Sequence, residues 1–167
     1  MNFKERAIKK VIWITISFAF IGIAVFLIPK STTAISLTGN ALSDLKLVNQ
    51  ARVETGLNEL NWNERLAVAA SEKANDMIAK DYFAHTSPEG VKAWNYVLEA
   101  GYDYRYAGEN LAIDFSKIND AQSAWEQSPT HRANILGSQF ADFGFAEATG
   151  EVDGRETTVF VQLFGQK

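Results

Sequence analysis

The chain has two histidines, and each stands beside a Ser-Pro pair: His85 in AHTSPEG (84–90) and His131 in SPTHRANIL (128–136). Imidazole is the side chain that most readily takes a proton or a metal near neutral pH. Ser128 followed by Pro129 predicts a helix start, with Ser128 as cap and Pro129 in the first helical position. His131 then falls in the first turn, where the positive end of the helix dipole keeps it neutral. Ser87-Pro88-Glu89-Gly90 fits a type I turn, which fixes His85 just ahead of it. Taken singly, either histidine could be a packing residue.

A carboxylate completes the set. In GENLAI the residues alternate as a strand, so Glu109 shares a face with Leu111, Ile113 and Phe115. A carboxylate on an inward face needs a partner. The two imidazoles are the natural candidates, and the alternative is a strand-start Glu bonding backbone amides. The chain has no cysteine, no H-E-x-x-H and no G-x-S-x-G. Disulfides, thiolate zinc sites, cysteine nucleophiles and a hydrolase nucleophile elbow are therefore excluded.

The elements that must position these groups are legible as patterns. Leu42, Leu45 and Val48 mark one face of a helix ending at Gly56. A second helix starts after the cap Asn63, with a buried stripe of Leu66, Ala70, Ala74, Met77 and Ile78; its alanines imply close packing on a flat sheet. A third helix covers VKAWNYVLEA and stops at Gly101, and a fourth runs from about Ile118 to Gln127. FGFAEAT and TTVFVQLF, joined through Asp153-Gly154, read as a hairpin whose second strand is apolar on both faces. These patterns predict an α+β fold, a three-layer α-β-α sandwich.

Compartment is set by the amino terminus. Residues 1–10 carry Lys4, Arg6, Lys9 and Lys10 against Glu5, and 18 uncharged residues follow, Val11–Ile28. As a helix this run is roughly 27 Å long, about the hydrocarbon thickness of a bilayer. The expected organisation is a cytoplasmic basic segment (1–10), a transmembrane helix or signal anchor (11–28), a linker (29–40) and one exported domain (41–167). A cleaved signal peptide, with TTA at 32–34 as its site and a secreted product, is the alternative. Of 16 basic and 20 acidic residues, 5 and 1 lie in 1–30, so the remainder carries 11 − 19 = −8. An acidic domain with no Lys/Arg cluster is not a nucleic-acid binder.

Several ordered stretches, LVNQARVETGLNELNWNERLAVAASEKANDMIAKDYFAHTSPEG, AGENLA, AWEQSPTHRANIL and FVQLFG, strongly resemble the CAP superfamily (cysteine-rich secretory, antigen 5 and pathogenesis-related proteins), above all its cysteine-free bacterial SCP-like branch. The resemblance runs from about Leu42 to Gly165. It implies a central cavity of two histidines and two glutamates, able in some members to hold a divalent cation, often zinc, through the histidines. His85, Glu109 and His131 match that motif directly. The family's second glutamate has no clean match; after Trp125 the chain offers Glu126 as the only nearby acid. Gln162 matches a recurrent polar position of the last strand, with an implied role of supporting the cavity by hydrogen-bonding a histidine.

The function expected is that of a non-enzymatic binding module outside the cytoplasm, with a small-molecule, lipid or protein ligand and no catalytic residue. Two alternatives stay open: a metal-dependent hydrolase of cell-envelope peptide or glycan, with Glu109 as general base, and a structural envelope protein whose cavity is a polar network.

Overall fold

The computed structural model describes residues 39–167. The basic segment and the apolar run Val11–Ile28 lie outside the described residues; among those described, no helix is long and apolar enough to cross a membrane. The order is α1 (Gly39–Glu54), β1 (Asn61–Trp62), α2 (Glu64–Ala79), α3 (Ala93–Glu99), β2 (Tyr106–Ile113), α4 (Ile118–Gln127), α5 (Pro129–Ile135), β3 (Asp142–Val152) and β4 (Arg155–Gln166). The strands form one mixed sheet in the order β1-β3-β4-β2, with β1 parallel to β3 and the other pairs antiparallel.

Two apolar cores lie on opposite faces of this sheet, giving three layers. One packs α2 and α3 residues such as Leu66, Ala70, Met77 and Val97 against Leu111, Val159, Val161 and Leu163. The other packs Val48, Ile118, Trp125 and Ile135, from α1, α4 and α5, against Phe143, Phe145, Phe160 and Phe164. β4 alternates between them residue by residue, which is why its sequence is apolar on both faces.

The hairpin forms as expected. Val152 pairs with Arg155, and Asp153 and Gly154 both take positive φ, 52° and 71°, the geometry of a two-residue type I′ turn. Asn63 caps α2 by accepting from the amides of Arg65 and Leu66. The small residues of α2 do permit close approach. A Cβ added at Gly144 of β3 would lie 2.3 Å from the Leu66 carbonyl carbon and 2.4 Å from the Ala67 nitrogen. Backbone cannot yield there as a side-chain tip could, so Gly144→Ala should cost about 3 kcal/mol or more, read from urea unfolding. A loss within experimental error would mean that α2 stands off the sheet.

Two details differ from the sequence reading, and a third goes beyond it. α1 buries Ala41, Asp44, Val48 and Arg52 and leaves Leu42 43% exposed, because its inward face carries two polar residues with partners waiting for them. Arg52 donates to the carbonyls of Asn58 (2.8 Å), Ile135 (2.8 Å) and Gly137 (3.0 Å), tying α1 to the end of α5. β2 begins at Tyr106 and stops before Asp114, whose φ of 67° breaks the alternation, so Phe115 packs with the α4 layer instead of sharing a face with Glu109. Finally, β2 is an edge strand with capped carbonyls. Asn134 donates to Glu109 O (2.9 Å) and the Trp125 indole to Leu111 O (2.8 Å), so α4 and α5 cover the edge.

Candidate functional site

Glu109 points to the α2 side of β2, where its side chain is only 2% exposed. The loop after α2 brings His85 over it, 62% exposed, with Nδ1 at 2.5 Å from Glu109 Oε1. A carboxylate this close makes Nδ1 the protonated nitrogen and leaves Nε2 outward. The bond raises the His85 pKa above its ordinary 6.5, against an opposing effect of burial. The second oxygen, Oε2, is buried with no hydrogen-bond partner.

The His85 loop is held at several points. Ser87 Oγ donates to Glu89 Oε2 (2.8 Å) and accepts from the amides of Glu89 and Val91, as a Ser-Pro turn should. Lys80 pairs with Asp76 (2.7 Å) and Glu89 (3.3 Å). Beneath the loop lies Lys73 of α2, wholly buried, which donates to the Tyr82 hydroxyl (3.0 Å) and to the carbonyl of Ala84, the residue before His85 (2.8 Å).

His131 comes from the other layer, on α5. Pro129 does open that helix and Ser128 does stand at its cap position, but the Ser128 hydroxyl makes no cap bond. It lies instead 2.8 Å from His131 Nδ1. His131 has a lowered pKa, first from burial and then from the charge of His85, so it stays neutral at neutral pH. The direction is the one expected, and burial and the second imidazole are its causes.

A groove of about 270 Å³ against β2 is lined by His85, Thr86, Lys92, Trp94, Gly108, Glu109 and Asn134 among others; His131 is not one of its lining residues. Asn134, three residues after His131 and so on the same helical face, is a groove residue that the motifs did not reveal. Lys73 was missed too, although its spacing of three from Ala70 puts it on the buried face of α2.

Gln162 and Glu126 have other company. Gln162 is fully buried on the α1/α4 face, donating to both Asp44 oxygens (3.0 and 2.9 Å) and to Gln122 Oε1 (2.9 Å). It bonds no histidine. Its oxygen accepts from Asn110 (3.0 Å), which also donates to the His131 carbonyl (3.2 Å), so its support of the site passes through Asn110. Glu126 accepts from Gln122 (2.8 Å) and lines a separate depression with Pro129, Arg132 and Leu136.

This arrangement, two imidazoles approaching one sheet edge with a buried glutamate under the first, coincides with a family match over residues 45–164 to the cysteine-rich secretory protein family, CAP. The chain belongs to the CAP family. It does so without a single cysteine. Among its relatives, YkwD of Bacillus subtilis (strain 168) is 35% identical over 100 residues, 60% of this chain and 39% of that protein. The membrane protein YlbC of the same organism is 32% identical over 60% of this chain and 29% of its own length. The chain thus spans well under half of either relative. Among solved structures, an extracellular protein containing an SCP domain from Bacillus anthracis str. Ames superposes with a TM-score of 0.67 at 29% identity, over 77% of this CAP chain and 41% of that one.

Proposed function

We propose that this protein is a non-enzymatic CAP-domain binding module working outside the cytoplasm, anchored through residues 11–28, with the His85–Glu109 groove as its ligand site. The observation that carries this is the groove itself: an exposed imidazole fixed by a buried carboxylate, beside Trp94 and Asn134. The extracellular SCP-domain relative and the membrane relative support the placement.

Hydrolysis is the weaker reading. Ser128 Oγ sits 2.8 Å from His131 Nδ1, the distance of a nucleophile and its base. Among the described residues, however, no carboxylate bonds the His131 ring to orient it, as such a pair requires. A structural role fits the buried amides Asn110, Gln122 and Gln162, whose bonds are satisfied, but not the exposed His85.

A divalent cation is part of the proposal. The unused Nε2 atoms of His85 and His131 would hold it, and Glu109, bonded to the far nitrogen of His85, would orient that ligand. The buried unpartnered Oε2 marks the carboxylate as unfinished. No group of three or more His, Cys, Asp or Glu side chains able to hold a metal is placed together among the described residues, so the proposed ion would have only the two imidazoles as protein ligands, with water completing its shell. Zinc should therefore raise the melting temperature of the chain, and His85→Ala or His131→Ala should abolish the rise. The effect should fade toward about pH 6 as protons compete, starting above 6.5 because the His85 pKa is raised. An identical zinc response in all three proteins would remove the cation from the reading and leave the groove.

A further inference from the structure

The atoms that line the groove define the chemistry of what fits it. Glu109 lines it with a side chain only 2% exposed, gives one oxygen to His85 and keeps Oε2 buried without a donor. A buried acceptor in that state is destabilising until something donates to it. The imidazole over it is 62% exposed, so displacing that ring breaks no core packing. Asn134 adds a second unmet acceptor. Both its N–H groups are spent, on Glu109 O (2.9 Å) and Asn110 Oδ1 (2.8 Å). That fixes the amide and leaves its own Oδ1 without a donor among the described residues.

A ligand rich in hydrogen-bond donors suits these atoms, and charge narrows the choice. Lys92 brings an ammonium to the same groove, where an isolated antiparallel bridge sets it across from Thr86, and it repels an organic cation. The two unmet acceptors repel an anion. A neutral ligand carrying hydroxyls remains. Trp94 adds a requirement of shape. It is half-buried, with its ring braced against Tyr104 at 6.2 Å between centroids, and gives the groove a rigid aromatic wall. The face of an indole is electron-rich and favours the partly positive hydrogens of C–H groups. A pyranose ring has both features: a face of axial C–H groups and a rim of hydroxyls. At about 270 Å³ the groove falls below the usual small-molecule pocket of about 300–1,000 Å³, which suits one end of a saccharide better than a long lipid chain.

We propose that the groove binds a neutral sugar, with one pyranose ring stacked on Trp94 and its hydroxyls donating to Glu109 Oε2 and Asn134 Oδ1. This rests on the groove being the ligand site and is independent of the cation.

The test uses the full chain in micelles of a detergent without a sugar headgroup, with EDTA present so that no metal ion takes part. Cellotetraose and chitotetraose are titrated at millimolar concentration and followed by saturation-transfer difference NMR. The parent should bind at least one of them, with the axial C–H protons of one ring saturated most. Glu109→Gln keeps the shape of the side chain and an oxygen for His85 but puts an N–H group in place of Oε2. Its affinity should fall about tenfold, the worth of one hydrogen bond to a charged group. Trp94→Ala should lose at least as much, and Trp94→Phe, which keeps a ring, should recover part of the loss. Thermal unfolding of each variant separates lost binding from lost fold. Unchanged affinity in a folded Glu109→Gln would overturn the placement, whatever Trp94→Ala does. Choline chloride and sodium acetate serve as charged comparisons, watched through the amide resonances of Thr86 and Gly108. A groove that answers to either salt and to neither sugar would overturn the sugar and keep the groove as a binding site. A groove that answers to none of the four would overturn both.

Discussion

Trp125→Ala is expected to lower stability by about 3–5 kcal/mol, enough to unfold a domain of ordinary stability. The indole is 2% exposed within the aromatic core formed with Phe143, Phe145, Phe160 and Phe164. Its N–H also serves the Leu111 carbonyl at 2.8 Å on the outer edge of β2. Trp125→Phe separates the two contributions. It restores much of the volume but orphans a buried carbonyl, a cost of about 1–3 kcal/mol. Urea unfolding of the three proteins measures both steps, and a loss below about 1 kcal/mol for the alanine variant would place the indole outside the core. Because Asn134 caps Glu109 O on the same edge, the loosened strand should also disturb the groove.

What the sequence disclosed and what it withheld follow from the kind of signal each residue carries. The hairpin was legible because Asp153-Gly154 states its own turn chemistry and the flanking strands alternate over many residues. α2 was legible from its cap and its alanine stripe. His85, Glu109 and His131 emerged because imidazoles are rare in this chain and a carboxylate on an inward face demands explanation. The misplaced residues share a different property. Leu42 and Phe115 are placed by a polarity rule that puts apolar groups inward, and Gln162 by its match to a recurrent polar position of the family it resembles. α1 instead turns Asp44 and Arg52 inward, where Gln162 and the carbonyls of Ile135 and Gly137 satisfy them. Such partners are distant in sequence, 118 residues in the case of Gln162 and Asp44. No local pattern reports them. Ser128 illustrates the same limit at short range: its position as cap was readable, but whether its hydroxyl would serve a backbone amide or His131 depended on where α5 set the ring.

Asp44 carries the other large effect, and pH reveals it. The carboxyl is wholly buried, and burial pushes its pKa from 3.8 up to about 8, moderated by the bond from Gln162. In the unfolded chain the same group ionises at its ordinary value. Between the two pKa values the folded state keeps a proton that the unfolded state has released. Each pH unit upward in that window therefore lowers stability, by at most about 1.4 kcal/mol. The contribution of Asp44 is fully present below about pH 4 and is lost progressively as pH rises through about 8, so the parent should lose about 4 kcal/mol between pH 5 and pH 8. Asp44→Asn matches the neutral acid in shape and keeps an oxygen for Gln162, but it cannot ionise. Its stability should be nearly flat over this range, below or equal to the parent at pH 5 and above it at pH 8. His85 and His131 titrate in the same window with opposite signs, the first raised and the second lowered, but both are present in each protein and drop out of the difference. Parallel stability curves for parent and variant, by urea unfolding at half-unit steps of pH, would show that Asp44 ionises in the fold as it does in water. Divergence in the stated direction would instead establish a neutral acid at the end of the Gln162–Asn110 chain that reaches the His131 carbonyl.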